Sequence, residues 1–425
     1  MRPIISVALL TGAAISVSGA RALADNPAPA TSNDDIRAMV AEMLSDAQTR
    51  SSLLQAGASA GHDGHFFLAS PDGNFRLNIS GGIQFRYNLA FTDQGPNSAG
   101  QPIDDFASGF QNRRFRLKFD GHIYDPNLYY GFQGEFARGG ANGGAFILLD
   151  GYAGYKFDNG LNFKWGQFKL PFSREFLMSA WKQLGVERSF TNNFFNANRA
   201  KAIQVSYASD NWRASGAFSN GAASLNTDFN ASPADWALTG RVEMLVAGSW
   251  EQFSDYTSAP GSEDALMIGL AAHYERSPDT PTTAIQDRIM WTADVSWESD
   301  GWGLAGAFYG NHQTNGAISG ASVDEYGGFV QGSLYVTDDL EAFSRYSIII
   351  PDSSVPQDKA FNTISFGANY YIHGHAAKFT TDVQIFLDDV NGTDTITGGS
   401  TGVGFIDNGA QSGEYLVRLQ FQLLF

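Results

Sequence analysis

The sequence predicts an all-β chain, a 16-stranded antiparallel transmembrane β-barrel preceded by a short N-terminal periplasmic helix. Apolar and polar residues alternate along most of the 425 residues, so hydrophobic residues reach 43% although the mean hydropathy is slightly negative. Aromatic residues reach 13% and glycines number 47, which is typical of strands with two unlike faces joined by many turns. After the N-terminus no run of 18 apolar residues occurs, which excludes a bundle of membrane-spanning helices.

The composition excludes several classes of protein. There are 44 Asp and Glu against 27 Lys and Arg, whereas a nucleic-acid-binding protein needs a basic surface. The absence of cysteine excludes disulfide scaffolds, cysteine-ligated metal sites and thiol nucleophiles. His62 and His65, like His373 and His375, are close in sequence, but histidine pairs without further ligands are typical of solvated turns. We therefore expect no metal, no cofactor and no nucleic-acid partner.

Residues 1–24 have the pattern of a secretory signal peptide. Arg2 supplies a positive charge, residues 4–15 are apolar, and residues 22–24 form a small-residue cleavage site. Roughly 12 apolar residues are too few to span a bilayer, which needs about 20. We expect export, cleavage of the signal before Asp25, and no helical anchor.

Residues 25–72 are predicted to form a periplasmic helix and a linker. Asp34 or Asp35 can cap a helix that ends near Leu54. Its apolar residues recur at alternating steps of three and four, which permits a short coiled coil and equally permits a helix docked on the next domain. Residues 56–73 are rich in glycine, alanine and histidine and are predicted to be the linker.

Residues 73–425 have a hydrophobic period of two, which predicts β-strands. In the first segment apolar residues occupy odd positions from Phe75 to Phe91, with polar residues such as Arg76 between them, and the last segment alternates similarly up to Phe425. A run of about 17 residues is far longer than the 5–6 typical of soluble strands. Fourteen comparable segments lie between these two, with centres near Phe119, Phe132, Ala153, Phe163, Val205, Ala214, Val242, Leu270, Ala293, Gly306, Val330, Tyr346, Phe366 and Val383.

A closed barrel in a membrane explains this pattern better than a soluble sandwich or propeller. Sandwich strands are short and pack one face on a dry core, and a propeller would show a repeat of about 40 residues, which is not visible. In lipid a closed barrel satisfies every strand hydrogen bond, with apolar residues outside and polar residues inside. An arginine at the midplane of a lipid-facing surface costs about 2–4 kcal/mol, so the strand arginines are predicted to point inward.

The connections between the segments alternate in length. Tight turns such as residues 158–160 and 299–301 alternate with long polar loops, as periplasmic turns alternate with external loops in outer-membrane barrels. The connection 247–264 should be a short turn by this order, but it is long. Sixteen strands enclose a lumen wide enough for water rather than one filled by wall side chains.

Several segments of the predicted barrel carry a family resemblance. They are residues 113–121, 166–175, 218–221, 340–346 and 378–382. Together with the barrel spacing and the terminal Phe425, they resemble the phosphate-selective porin O and P family of Gram-negative outer membranes over about residues 72–425. The resemblance implies a homotrimeric outer-membrane channel with basic side chains that guide anions. It also implies an inward-folded third loop, here near residues 171–199.

Basic side chains on the inward wall and in the third loop are the predicted anion-binding and pore-lining residues. A guanidinium holds an oxyanion with a planar fork of donors, and a ladder of weak sites lets the ion enter and leave. Alternatively, carboxylates on the same face, such as Asp120, Glu135, Asp150 and Asp294, pair with these cations across strands. Lys156 is also expected on the inward wall. The predicted set is Arg76, Arg86, Arg114, Arg116, Lys118, Arg174, Lys182, Arg188, Arg199, Arg213 and Arg241.

Three functions remain open at this point. The first is passive diffusion of small anions, phosphate or other oxyanions; the second is a general porin without marked ion selectivity. The third is a barrel enzyme that hydrolyses lipid, but no serine is placed by the pattern beside the strand histidines His122 and His273. We therefore expect no enzyme, and as partners we expect small anions together with outer-membrane lipid and lipopolysaccharide, which the acidic outer loops could bind through divalent cations.

Overall fold

The structure is a computed structural model in which the chain forms two units, Met1–Gly57 and Ala58–Phe425. In the first unit the described residues are helical and exposed, and the predicted signal peptide and most of the predicted helix lie outside them. No helix of the described residues is both long and apolar enough to cross a membrane. The described residues are 37–38, 40–42, 44–45, 59–92, 100–101, 106–136, 146–231, 234–277, 287–314, 322–353, 360–388 and 413–425.

The second unit consists mainly of long strands. Two short helices, α1 Arg174–Leu177 and α2 Phe190–Phe195, and three 3-10 helices, Ala180–Lys182, Phe229–Ala231 and Gln252–Ser254, lie in the connections. The strands are β1 Ser59–His62, β2 Phe66–Ala69, β3 Arg76–Phe91, β4 Phe106–Ile123, β5 Asp125–Glu135, β6 Ile147–Lys156, β7 Leu161–Lys169, β8 Arg199–Ala208, β9 Trp212–Ser219, β10 Trp236–Ala247, β11 Ala265–Arg276, β12 Asp287–Ser299, β13 Trp302–Gln313, β14 Val323–Thr337, β15 Leu340–Ile350, β16 Phe361–His373, β17 Ala377–Phe386 and β18 Tyr415–Leu424.

Strands β3 to β18 form a closed antiparallel barrel of 16 strands, which confirms the predicted strand number and barrel architecture. Each strand pairs with its neighbours in sequence, and β18 closes on β3 with Tyr415 opposite Phe91 and Leu424 opposite Gly82. Each of the 16 predicted segments coincides with one of these strands. Because the barrel is closed, its wall has no unpaired edge strand.

The two faces of the barrel wall differ as the alternation predicts. In β18 the polar Arg418 and Gln422 are almost fully buried, whereas Leu419 and Leu423, the residue after each, are 50% and 42% exposed. The same contrast recurs around the wall, where exposed outward side chains are aliphatic or aromatic. The inside of the barrel is therefore mainly polar and its outside apolar.

A β-hairpin precedes the barrel where the sequence predicted a linker. Ser59 of β1 lies opposite Ala69 of β2, and Ala69 lies opposite Arg76 of β3. The Arg76 guanidinium holds Asp63 at 2.6 Å and lies over the ring of Phe67 at 4.4 Å. The linker prediction was wrong for these residues. Their intrinsic β-strand propensity is weak, but pairing with β3 and the contacts of Arg76 stabilise the hairpin.

Short turns and long connections lie at opposite ends of the barrel. Within the described residues, one short-turn connection is an exception: residues 248–264 between β10 and β11 are long and fold into the barrel. From the other end, residues 170–198 between β7 and β8 also fold inward. These two segments determine how much of the interior stays open.

Candidate functional site

Residues 170–198, hereafter loop 3, enter the barrel where the resemblance placed an inward third loop. Serine side chains begin both helices of the loop, because each offers an oxygen to an unpaired N–H of the first turn. Ser173 Oγ accepts a hydrogen bond from the Phe176 amide at 3.4 Å. Ser189 Oγ accepts one from the Asn192 amide at 3.0 Å. The loop is thus a compact structure rather than an extended strap.

An apolar patch on the inner wall supports loop 3. Phe190 of α2 contacts the rings of Phe361 and Phe386, with centroid distances of 5.7 and 5.6 Å. Phe195 stacks on Tyr309 at 5.7 Å. All five side chains are buried. The inner face is therefore not polar throughout, contrary to the prediction, because the loop needs apolar surface on which to pack.

Glu187 of loop 3 is held by three arginines of the barrel wall, and we call these four residues the Glu187 cluster. Arg86 Nη2 lies 2.6 Å from Oε1, Arg113 Nε lies 2.5 Å from Oε1, and Arg114 Nη2 lies 2.6 Å from Oε2. The side chains are at most 10% exposed. Charge-assisted hydrogen bonds of this kind, shielded from water, fix the loop to β3 and β4.

A β-bulge brings two consecutive arginines to one carboxylate. Along the β3–β4 pair Gln84 lies opposite Arg114, but Phe85 lies opposite Asn112, so Arg113 is an extra residue in β4. Without the bulge, neighbouring side chains would point to opposite faces of the wall. Strict alternation places only Arg114 inward, which is why the sequence did not identify Arg113.

The Glu187 carboxylate stays ionised over a wide pH range. Burial opposes its ionisation, but Arg113, Arg114 and Arg86 outweigh burial and hold the pKa of Glu187 well below its ordinary value of 4.5. A carboxyl group whose pKa falls on folding stabilises the folded state fully above its ordinary pKa. That stabilisation is lost as the pH falls through the lowered pKa. The cluster is therefore intact at neutral and mildly acidic pH.

Two predicted arginines within loop 3 hold the loop itself. Arg174 donates from Nε to Ser296 Oγ at 2.9 Å and from Nη2 to the Phe253 carbonyl at 3.2 Å. Arg188 donates from Nη2 to the Met178 carbonyl at 2.7 Å. Burial lowers the pKa of Arg188 to about 10, so it remains a cation at neutral pH. Both side chains connect parts of the fold.

Arg213 and Arg241 border a smaller cavity of about 120 Å³ behind loop 3. Arg241 forms two hydrogen bonds to Asp294, at 2.7 and 2.9 Å, and donates to the Phe172 carbonyl at 2.9 Å. Arg213 lies over the ring of Trp250 at 4.0 Å. Arg241 is thus neutralised across strands, which is the structural alternative that the sequence left open.

Residues 248–264, hereafter the inner turn, meet loop 3 inside the barrel. Tyr256 is 4% exposed and packs with Met178 and Leu184 of loop 3 and with Phe343 of the wall. The phenyl ring of Phe253 is buried as well. The connection whose length the sequence did not explain is therefore an internal element that shares an apolar core with loop 3.

Asp255 connects the inner turn to loop 3 and to a neighbouring turn. Its Oδ2 lies 3.7 Å from Lys182 Nζ and 3.5 Å from His375 Nε2. Lys182 Nζ also donates to Ser254 Oγ at 3.1 Å. Burial opposes ionisation of the carboxyl, but His375, the Thr257 amide and Lys182 outweigh it and lower the pKa of Asp255. The carboxylate therefore holds Lys182 in place.

A cavity of about 1320 Å³ remains beside loop 3, along the inner faces of β3 to β7. It opens toward the short-turn end, where His122 and His373 line it, and Trp181 and Lys182 of loop 3 form part of its boundary. Its described lining includes seven cationic side chains but two carboxylates, Asp120 and Asp150. The cations are Arg116, Lys118, Lys156, Lys164, Lys169, Lys182 and Arg199.

Some of these cations are paired and others are not. Lys169 donates to three backbone carbonyls of loop 3, at 2.7 to 3.2 Å. In the part of the chain that the structure describes, Lys156 and Lys164 have no carboxylate within 4 Å and lie instead over aromatic rings. The carboxylate pairs are Arg116–Glu135 at 3.2 Å, Lys118–Asp120 at 2.8 Å and Arg199–Asp150 at 2.9 Å.

The structure divides the predicted site residues into three groups. Arg116, Lys118, Lys182 and Arg199 line the cavity; Arg76 and Arg213 lie away from it, near the hairpin and behind loop 3. The sequence set omitted Lys164 and Lys169, although Lys164 follows the inward alternation of β7 and was detectable there. The remaining group is engaged in contacts that hold loop 3 or the wall and comprises Arg86, Arg114, Arg174, Arg188 and Arg241.

Comparisons with known proteins agree on this architecture. The sequence matches the family described as phosphate-selective porin O and P over residues 83–394. No curated protein sequence matches the chain. Among solved structures, the anion-selective porin from Comamonas acidovorans is 14% identical, with a TM-score of 0.53, covering 82% of this chain and 99% of that chain.

Two further structures are similar at low identity. The outer membrane channel DcaP of Acinetobacter baumannii is 11% identical with a TM-score of 0.55, covering 82% of this chain and 97% of that chain. OmpT of Vibrio cholerae in its trimer form is 11% identical with a TM-score of 0.52, covering 82% of this chain and 99% of that chain. At these identities the likeness shows a shared fold.

The family match covers most of the barrel, and the solved neighbours share its fold. The family match indicates an outer-membrane channel of Gram-negative type. The interior described above, with an inward loop beside an open and basic cavity, agrees with this role. The chain therefore belongs to the phosphate-selective porin O and P family.

Proposed function

We propose that this protein is a channel for passive diffusion of small anions, phosphate and other oxyanions among them. The observation that carries the proposal is the cavity lining, with seven cationic side chains against two carboxylates. Salt screens charge over roughly 8 Å, which does not remove the field of a basic wall across a narrow passage. Local charge in the passage, rather than the net charge of −17, then sets selectivity.

Within this proposal, the basic residues divide by whether they line the cavity. Arg116, Lys118, Lys182 and Arg199 form the solute path together with other cavity-lining lysines. Arg86 and the other arginines that do not line the cavity but contact or belong to loop 3 act by holding the loop, because their guanidinium groups are engaged by protein partners. Each cavity-lining cation offers a weak site, and neighbouring weak sites allow both entry and release.

Removing two unpaired cavity charges should lower anion preference. An ion 4 Å from a unit charge in water gains about 1 kcal/mol, which is a factor of about five in occupancy. We expect Lys156→Gln with Lys164→Gln to reduce the chloride-over-potassium permeability ratio by a factor on the order of five. The measurement is the reversal potential of the purified channel in a planar bilayer under a salt gradient.

A matched control removes two charges that do not line the cavity. Lys201→Gln with Arg276→Gln takes away the same charge outside the cavity, and its permeability ratio should stay close to that of the unmodified channel. Cation preference of the unmodified channel would refute the proposal. Absence of preference would instead favour a general porin, in which carboxylate pairs such as Arg199 with Asp150 neutralise the wall.

The geometry around His122 and His273, the two histidines that the sequence placed in strands, does not support a lipid hydrolase. His273 is 1% exposed, with Nδ1 2.8 Å from Thr239 Oγ1 and Nε2 3.1 Å from Glu275. His122 Nε2 lies 2.8 Å from the carbonyl of Gly73. In the described residues neither histidine has a serine hydroxyl as hydrogen-bond partner. A buried threonine could not reach lipid at the outer surface.

We further propose export through a cleaved signal over residues 1–24 and assembly as a homotrimer in the outer membrane, where lipid and lipopolysaccharide surround the barrel. The exposed apolar side chains of the outer face support the lipid contact. Most of the acidic loop residues expected to meet lipopolysaccharide lie outside the described residues. The mass of the detergent-solubilised complex and the N-terminal sequence of the mature chain test assembly and cleavage, and a monomer or an intact N-terminus would refute them.

A further inference from the structure

Two tyrosine rings lie flat on the inner wall of the cavity. Tyr129 of β5 is opposite Gly154 of β6, and Tyr152 of β6 is opposite Gly131 of β5. A Cβ atom on Gly154 would lie 2.4 Å from Tyr129 Cζ, and one on Gly131 would lie 2.5 Å from Tyr152 Cζ. Only glycine leaves room for these rings against the neighbouring strand. The wall therefore presents ring faces to the cavity.

A lysine without a carboxylate partner accompanies each ring. Lys156 Nζ is 5.4 Å from the ring centroid of Tyr129. Lys164 Nζ is 5.5 Å from the centroid of Tyr152 and 4.0 Å from that of Phe168. In the described part of the chain no carboxylate oxygen comes within 4 Å of either ammonium group. Positive charge and aromatic surface thus lie side by side.

Loop 3 repeats this combination on another side of the cavity. Trp181 lines the cavity, and the Arg116 guanidinium lies 5.7 Å from its ring centroid. A site for inorganic ions would need the cations alone, since an ion without carbon gains nothing from ring faces. Three accessible rings beside three cations are suited to a solute that carries both a ring and a negative charge.

We propose that the cavity selects aromatic carboxylates, whose ring stacks on Tyr129 or Tyr152 while the carboxylate pairs with Lys156 or Lys164. This rests on the proposed function as an anion channel and names a class of its solutes. Offset stacking adds to the burial of the ring, and the adjacent carboxylate takes the place of the missing acidic partner of the lysine. Aliphatic acids of similar size pair with the lysine through their carboxylate but have no aromatic ring to stack on the tyrosine.

The test compares two acids that carry the same charge and have similar size. Benzoate and cyclohexanecarboxylate are added at neutral pH to single channels in a planar bilayer, and the block of chloride current is measured. We expect benzoate to reach half-block at about a fivefold lower concentration, because only benzoate stacks. Equal potency of the two acids would overturn the inference.

Variants locate the effect. Tyr129→Leu with Tyr152→Leu should abolish the difference between the two acids, whereas Tyr155→Leu, whose side chain does not line the cavity, should preserve it. A difference that persists in the double variant would also overturn the inference. Because both acids carry the same negative charge, the difference between their half-block concentrations tests the ring contact separately from the anion preference that the reversal potential measures. Cation preference refutes the proposed function, and loss of the ring effect refutes this inference alone.

Discussion

Replacing Glu187 by glutamine is expected to free the tip of loop 3 and to widen the passage. Glu187 is the shared acceptor of Arg86, Arg113 and Arg114, and all four side chains are shielded from water. Removing one partner of a buried ion pair costs about 3–5 kcal/mol, because the remaining charge is left buried and unpaired. Here three guanidinium groups lose their carboxylate together. They can regain solvation only if loop 3 moves away from β3 and β4.

The expected signals are a higher single-channel conductance with flickering and a stronger anion preference. The conductance should change because the loop moves, and the preference because three cations become uncompensated near the passage. Glu251→Gln is the matched control, since it removes the same charge from an exposed side chain of the inner turn. Steady conductance in Glu187→Gln, equal to that of the control, would mean that the apolar contacts of Phe190 and Phe195 hold the loop without the cluster.

The barrel itself could be predicted because its physical cause is periodic. Every strand must show one face to the outside and the other to the interior, and this requirement repeats at each residue pair from β3 to β18. The inward position of Arg116 and Lys118 follows from the same rule, as does that of Lys164. These three residues could be found by counting from an outward aromatic residue, whereas Arg199 points inward although Ile203 and Val205, at the same parity in β8, point outward.

The contacts inside the barrel could not be predicted in this way, because they depend on which segments meet. Arg113 enters the Glu187 cluster through a bulge, a local break in the period that no spacing reveals. Tyr309 and Phe361 point inward against the rule because loop 3 covers them. The burial of Arg86 follows from the position of Glu187, which lies 101 residues away in sequence.

The role of the long connection between β10 and β11 could not be predicted for the same reason, since it depends on which segments meet. The sequence shows that the connection is long but not that it folds into the barrel. Tyr256 would be unremarkable in an exposed loop, and only its contacts with Met178 and Leu184 of loop 3 show why it is buried. Phe253 is buried against Ala265 and Met267. A second inward segment also means that loop 3 does not narrow the barrel alone.

Shortening the inner turn is expected to open the side of the barrel that is now filled. Replacing residues 249–263 by Asn-Gly is geometrically simple, because Gly248 and Ala265 are already adjacent: a Cβ on Gly248 would lie 2.4 Å from that of Ala265. The change removes the side chains that pack on Leu184 and Phe343. Conductance should rise by a factor on the order of 1.5 to 2, since a 16-stranded barrel is wide enough for water once its interior is cleared.

The control for this deletion must account for charge. Residues 249–263 contain three carboxylates, so their loss alone would alter the ion current. The variant with Glu251→Gln, Asp255→Asn and Glu263→Gln keeps the full length and removes the same charge. If volume is the cause, any change in this variant, including the one that follows from releasing Lys182, should be the same for large and small anions, whereas the shortened chain should gain most for large ones. An equal gain in both variants would show that the inner turn acts through its charge rather than by filling space.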